Sequence, residues 1–195
     1  MKKIIIILTC VLLLHTNIYA QKKVKVPQKF LQSMQGDWKG KLTYTDYQDD
    51  LTQVTMDVWV QNTIVNKKLI KQFFYKEPDG NTKQKSKSQD TIYISKNGEN
   101  WIESGYKMPF KIKEYTTKKS EQSSETIENG VKIKSSASAS SEQSIVMETT
   151  EDDNNKKSTI RITITTTQNT MNIKKEVKYN GTDNFFVRSS FYYIK

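Results

Sequence analysis

Residues 27–195 are predicted to form one all-β domain, an antiparallel up-and-down β-barrel of about eight to ten strands with a short N-terminal helix closing one end. Three observations predict it. Apolar and polar residues alternate with period two along most of the chain after Asp37. Asn97-Gly98, Asn129-Gly130 and Asn180-Gly181 punctuate that alternation, and the connections are short enough for antiparallel neighbours. The composition is rich in Ser and Thr and holds only 3 Pro and 7 Gly, which suits a sheet with one wet face. A sheet of this size accumulates twist, and closing it removes its exposed edges.

Residues 1–20 read as a cleavable signal peptide. Lys2 and Lys3 give a positive start, Ile4 through Leu14 an apolar run, and Ala20 a small residue before the cut. That run is shorter than the roughly 20 residues needed to span a bilayer. An exported chain, periplasmic or secreted, is expected, with no transmembrane segment after cleavage. A lipid anchor at Cys10 is not expected, because Thr9 precedes it and the apolar run continues beyond it. Residues 21–26 are basic and are expected to be a flexible N-terminus.

The elements follow in order. Pro27 to Gly36 has a helical signature, with Phe30, Leu31 and Met34 on one face. Trp38, Gly40, Leu42 and Tyr44 then alternate with polar neighbours, as do Val54, Met56, Val58 and Val60. Leu69 to Tyr75 is a third strand. The polar stretch from Asn81 to Gln89 reads as a loop. Thr91–Ser95 and Asn100–Glu103 flank Asn97-Gly98 as a hairpin with a type I′ turn. Phe110 to Tyr115 follows. Residues 116–158 are polar and admit two readings, short strands at 131–134 and 145–147 or a long excursion with little structure. Asp152-Asp153-Asn154-Asn155 is a plain turn, since it lacks the spacing of a calcium loop. Thr159 to Thr165 alternates cleanly, Met171 to Val177 is a strand interrupted by Lys175, and Phe185 to Lys195 ends the chain.

Cleavage after Ala20 removes Cys10 and His15, the one cysteine and the one histidine of the chain. The mature domain then has no disulfide, no Ser-His-Asp or Cys-His machinery, no His/Cys zinc site and no haem held by His or Cys. No cofactor and no metal are expected. Asp46, Asp49, Asp50 and Asp57 are close in sequence, but solvation in a turn accounts for the first three, so a carboxylate-based enzyme is not expected. The formal charge is +10, two of it in the signal peptide. The lysines are spread over turns and alternate strand positions, as on a solvated face. No interleaved basic-aromatic motif appears, so no nucleic-acid partner is expected.

The helix leading into Gly36-Asp37-Trp38, the strand series and Arg188 in the last strand together resemble the lipocalin and wider calycin pattern. The stretch Trp38 to Tyr47 is similar to first strands of small exported bacterial lipocalin-like domains. Two features depart from the pattern: no helix is evident late in the chain, and the middle third is polar. The resemblance implies a closed-end pair in which Arg188 packs on the Trp38 ring. It also implies a monomeric, non-enzymatic carrier of a small apolar or amphipathic, anionic ligand. Ligand-facing candidates are Leu42, Tyr44, Met56, Val58, Phe73, Tyr75, Tyr93, Trp101, Phe110, Ile160, Ile162, Ile164 and Tyr193. The alternative is an envelope interaction module with a filled barrel, meeting partners through loops at 77–89 and 116–130.

Overall fold

The computed structural model describes residues 23–76, 83–120, 123–128, 131–136 and 140–195. The expected signal peptide and the Asn129-Gly130 turn lie outside the described residues. Ten strands close into an antiparallel barrel. In chain order they are β1 (Gly36–Thr45), β2 (Gln53–Val65), β3 (Lys68–Lys76), β4 (Lys83–Ile94), β5 (Asn100–Glu103), β6 (Phe110–Ser120), β9 (Ser140–Asp153), β10 (Lys156–Thr166), β11 (Thr170–Tyr179) and β12 (Phe186–Ile194). β7 (Ser123–Glu128) and β8 (Val131–Ser136) form a separate two-stranded hairpin between β6 and β9. Each barrel strand pairs with its neighbour in sequence, apart from that insertion, and β1 pairs with β12 from Lys39↔Ile194 to Tyr44↔Ser189 to shut the seam.

The alternation that predicts the barrel is the burial pattern it shows. On β10, Ser158, Ile160, Ile162, Ile164 and Thr166 are buried, and on β9 Ile145, Met147 and Thr149 meet them. Hairpins are set by left-handed residues. Asn66 and Lys67 join β2 to β3 with φ of 49° and 63°, and Asn154 and Asn155 join β9 to β10 with 51° and 59°. Two positive φ values in a two-residue loop match the right-handed twist of the flanking strands. The hairpin at Asn97-Gly98 is built differently from the expected type I′ turn. Only Gly98 has positive φ, and its N–H donates to Ser95 O at 2.8 Å. The Asn97 side chain accepts from Ser95 Oγ and the Glu99 N–H, which holds this wider loop.

The helix is shorter than the sequence suggests. Only Phe30–Ser33 is helical (α1), between hydrogen-bonded turns. Phe30, Leu31 and Met34 are nonetheless fully buried, as their shared face requires. Phe30 sets its ring edge-on to Trp101 at 6.3 Å and to Tyr115 at 5.9 Å, so α1 plugs one end of the barrel. Met34 O, a carbonyl left without a helical partner, accepts from Trp38 Nε1 at 2.9 Å and Asn62 Nδ2 at 2.8 Å. Residues 23–26, expected to be flexible, are docked on this end: Val26 is buried and its N–H donates to Gly98 O at 2.9 Å. An apolar side chain and a backbone bond outweigh the basic composition there.

Two other expectations change. Residues 83–89, read as loop, belong to β4 and pair with β3, from Gln72↔Gln89 to Lys76↔Lys83. Ladder bonds make this strand where side-chain composition gives no signal. Within 116–158, strands replace excursion: β6 continues to Ser120, β7 and β8 pair, and β9 begins at Ser140. β-bulges then shift the inward phase within strands. β6 slips between Ile112 and Glu114, so the inward face passes from Phe110 and Ile112 to Tyr115.

Candidate functional site

Above the α1 plug the barrel is not filled. A cavity of about 520 Å³ lies between the core and the opposite, open end. Ile160, Ile162 and Ile164 of β10 and Ile173 of β11 give it an apolar side. An aromatic side faces them: Phe73 and Tyr75 of β3 are stacked at 6.1 Å, Phe73 meets Phe191 of β12 at 6.1 Å, and Phe191 stacks on Tyr193 at 5.6 Å. Trp101 of β5 closes the inner end.

Charged side chains are interleaved with these apolar and aromatic ones. Lys71, Asp90, Glu103, Glu151, Asp152, Asp153 and Lys175 line it. Lys71 Nζ pairs with Glu103 Oε1 at 3.3 Å, both nearly buried. The second Glu103 oxygen accepts from Trp101 Nε1 at 3.0 Å. Lys175, which interrupts the apolar series of its strand, turns inward to Asp153 Oδ1 at 2.7 Å. Burial holds the Asp90 carboxyl above its ordinary range, with Lys71 opposing and Glu103 adding to the rise. Burial likewise raises Tyr193, whose Oη has no hydrogen-bond partner among the described residues although the side chain is 1% exposed.

Of the residues expected to face a ligand, Phe73, Tyr75, Trp101, Ile160, Ile162, Ile164 and Tyr193 line this cavity. Val58 and Phe110 are buried in the core, and Leu42 and Met56 pack partly buried against it. Tyr44 is half-buried and does not line the cavity. Tyr93 is corrected outright. It lies on the outer wall, 38% exposed, with Lys68 Nζ 5.3 Å from its ring centroid, while Ile92 and Ile94 take the inward positions. The charged lining was missed. Its signal is a charge at an inward position of an apolar strand, as at Lys71 and Lys175.

The expected closed-end pair of Trp38 and Arg188 does not form. Lys195 Nζ covers the Trp38 ring, 4.7 Å from its centroid. Arg188 lies toward the other end. Its neighbour Ser189 pairs with Tyr44, and the run of β1 from Trp38 to Tyr44 separates the two side chains by roughly 20 Å at about 3.3 Å per residue. A β-bulge turns Arg188 inward at that end: Lys175 pairs with Ser189 and Glu176 with Val187, so Arg188 is the extra residue. There it donates from Nε to Asp153 Oδ2 at 2.9 Å, from Nη1 to Asp50 Oδ1 at 2.8 Å, and from Nη2 to Tyr179 Oη. Tyr47 and Phe186 sandwich it, 4.5 and 4.8 Å from the guanidinium carbon.

Asp50 thereby ties the loop of residues 46–52 across part of the open end. Asn154 Nδ2 donates to Tyr47 O at 2.9 Å, and Lys156 Nζ adds an ion pair to Asp50 at 3.2 Å. Solvation in a turn does describe Asp46 and Asp49, which accept from backbone N–H groups of their own loop. For Asp50 it does not. The Arg188 guanidinium first, then Lys156 and Tyr179, outweigh burial and bring its carboxyl down from 3.8 to about 2. A folded-state value below the unfolded one means that this tether is complete above about pH 4 and is lost as the pH falls through 2. Amide exchange of residues 46–52 should therefore accelerate over that window, and Asp50→Asn should be fast already at neutral pH. Exchange independent of pH after correction for its intrinsic rate would remove the tether.

The fold and cavity define a class: a closed ten-stranded antiparallel barrel, two strands more than the eight of lipocalins, with a ligand-sized interior. No family model matches the chain, and no curated protein matches it in sequence. Among solved structures, that of Rv2717c from M. tuberculosis is similar at 8% identity with a TM-score of 0.48, over 88% of this chain and 99% of that one.

Proposed function

We propose that the chain is an exported, non-enzymatic binding protein that holds one small apolar or amphipathic molecule inside its barrel, as lipocalin-like carriers do. The cavity carries this reading. Its volume of about 520 Å³ falls in the usual range for small-molecule sites, about 300–1,000 Å³. Its wall combines apolar and aromatic side chains with charged ones, as the two ends of an amphiphile require. Tyr193 Oη adds a polar contact that the protein itself leaves unused.

Trp101 lines the cavity and is the built-in reporter. Titrating the purified chain with a panel of fatty acids, alcohols, amines and sterols should shift or quench its fluorescence, saturating at one ligand per chain. Trp101→Phe should lose most of that signal. A panel without any saturable change would sink the proposal and leave the barrel as an interaction module.

A further inference from the structure

Resting on the reading of the cavity as a ligand site, we infer that its ligand is a cationic amphiphile, with an ammonium headgroup seated between the Asp90 carboxylate and the aromatic wall and a tail against the β10 isoleucines. The ion pairs decide the sign of the charge. Both ammonium groups that line the cavity are already committed, Lys71 to Glu103 and Lys175 to Asp153, and Asp153 is shared with Arg188. An anionic headgroup would find no unpaired cation among the described residues lining the cavity. Asp90 is the reverse case. It stands opposite Lys71 across the β3–β4 ladder, yet makes no ion pair or hydrogen bond among the described residues, because the Lys71 ammonium reaches Glu103 instead. Two carboxylates therefore share one ammonium on this wall, and Glu151 and Asp152 add negative charge nearby.

The aromatic wall favours the same partner. Ring faces carry negative charge and attract cations, quaternary ammonium groups above all. This wall already does so: Lys71 Nζ lies 5.0 Å from the Phe73 ring centroid. Phe73, Tyr75, Phe191 and Tyr193 continue as a row of rings along the cavity. Tyr193 Oη is a second and independent pointer, a buried hydroxyl without a partner at the end of that row. Burial keeps it protonated, and its oxygen has a lone pair free to accept from an ammonium N–H. The raised pKa of Asp90 fits a carboxylate that lacks the cation it is placed to meet.

The test compares four probes of one chain length below their micellar concentrations: dodecyltrimethylammonium, dodecylamine, dodecanoate and dodecanol. Calorimetry on the wild-type chain should show both cations binding about tenfold or more tighter than dodecanoate, in line with cation–π and ion-pair energies. Asp90→Asn should reduce that preference to about twofold and change dodecanol affinity far less than that of the cations. Dodecanoate binding as tightly as the cations would overturn the inference and leave the carrier reading standing. So would a preference that survives Asp90→Asn. If none of the four binds, the carrier reading fails with it.

Discussion

Arg188→Met is expected to destabilise the barrel by roughly 3–5 kcal/mol, read from chemical denaturation at neutral pH. The guanidinium has no exposed surface, and its fork is filled by Asp153, Asp50 and Tyr179. Methionine fills similar volume and keeps contact with Tyr47 and Phe186, so the loss is electrostatic. It leaves Asp153, whose side chain is 2% exposed, with Lys175 alone to compensate it. Removing one member of a buried pair costs far more than the pair contributes, because the remaining charge stays buried. Arg188→Met combined with Asp153→Asn should therefore cost less than Arg188→Met alone, a coupling that a double-mutant cycle reads directly. Arg188→Lys should not rescue, since one ammonium cannot serve three partners in a planar fork. A loss under about 1 kcal/mol, the range of surface ion pairs, would contradict the assignment.

The same cluster shows how stability and access to the cavity are linked. Arg188 binds Asp153 at the end of β9 and Asp50 in the loop of residues 46–52, so one side chain braces the wall and tethers the loop lying across the open end. Its bond to Asp153 is buried, whereas Asp50 keeps 25% of its side chain exposed. Exposure weakens the second bond by solvent screening. The loop is accordingly the part that opens first, and the wall keeps its shape when it does.

How much of this is legible in the sequence depends on phase. Where alternation runs unbroken, as from Ser158 to Thr166, inward residues read off directly and Ile160, Ile162 and Ile164 line the cavity as expected. Phase fails where both sets are apolar. Ile92, Tyr93 and Ile94 offer no contrast, and the pairing of Ile92 with Leu69 on one side and Glu103 on the other sets the face that puts Tyr93 outside. It fails again at bulges. Counting by twos back from Tyr193 and Phe191 puts Val187 inside and Arg188 outside, whereas the bulge reverses both. The distance between Trp38 and Arg188 is set by the seam register instead: Lys39 pairs with Ile194 and Tyr44 with Ser189, which leaves Lys195 beside the indole. The charged lining of the cavity is hidden for another reason. An inward Lys71 or Lys175 is tolerable only with a carboxylate from another strand, and period-two patterns do not report such cross-barrel partners.

Gly40→Ala tests the closure of the barrel at its tightest point, and its expected cost is about 3 kcal/mol or more, at the upper end of overpacking effects. Gly40 stands opposite Tyr193 in the β1–β12 seam. A Cβ at this position would sit 1.9 Å from Tyr192 O, 2.8 Å from Tyr192 C and 2.9 Å from Tyr193 Cα. All three are backbone atoms of the neighbouring strand, so no side-chain rotation relieves the contact and the two strands must part. Parting them lengthens ladder bonds on either side and moves Tyr193, which lines the cavity and stacks on Phe191. Glycine in a strand interior marks such close backbone approaches and the kinks by which a twisted sheet closes. Lys41→Ala, one residue along on the exposed outer face, is the control. It removes a surface ion pair to Asp57 at 3.1 Å and should cost under about 1 kcal/mol. Gly40→Ala should also weaken binding of any ligand the cavity takes, because its damage reaches Tyr193, whereas Lys41→Ala should not. Equal stability and equal affinity for the two variants would show that the seam absorbs a methyl group, and that closure there does not depend on glycine.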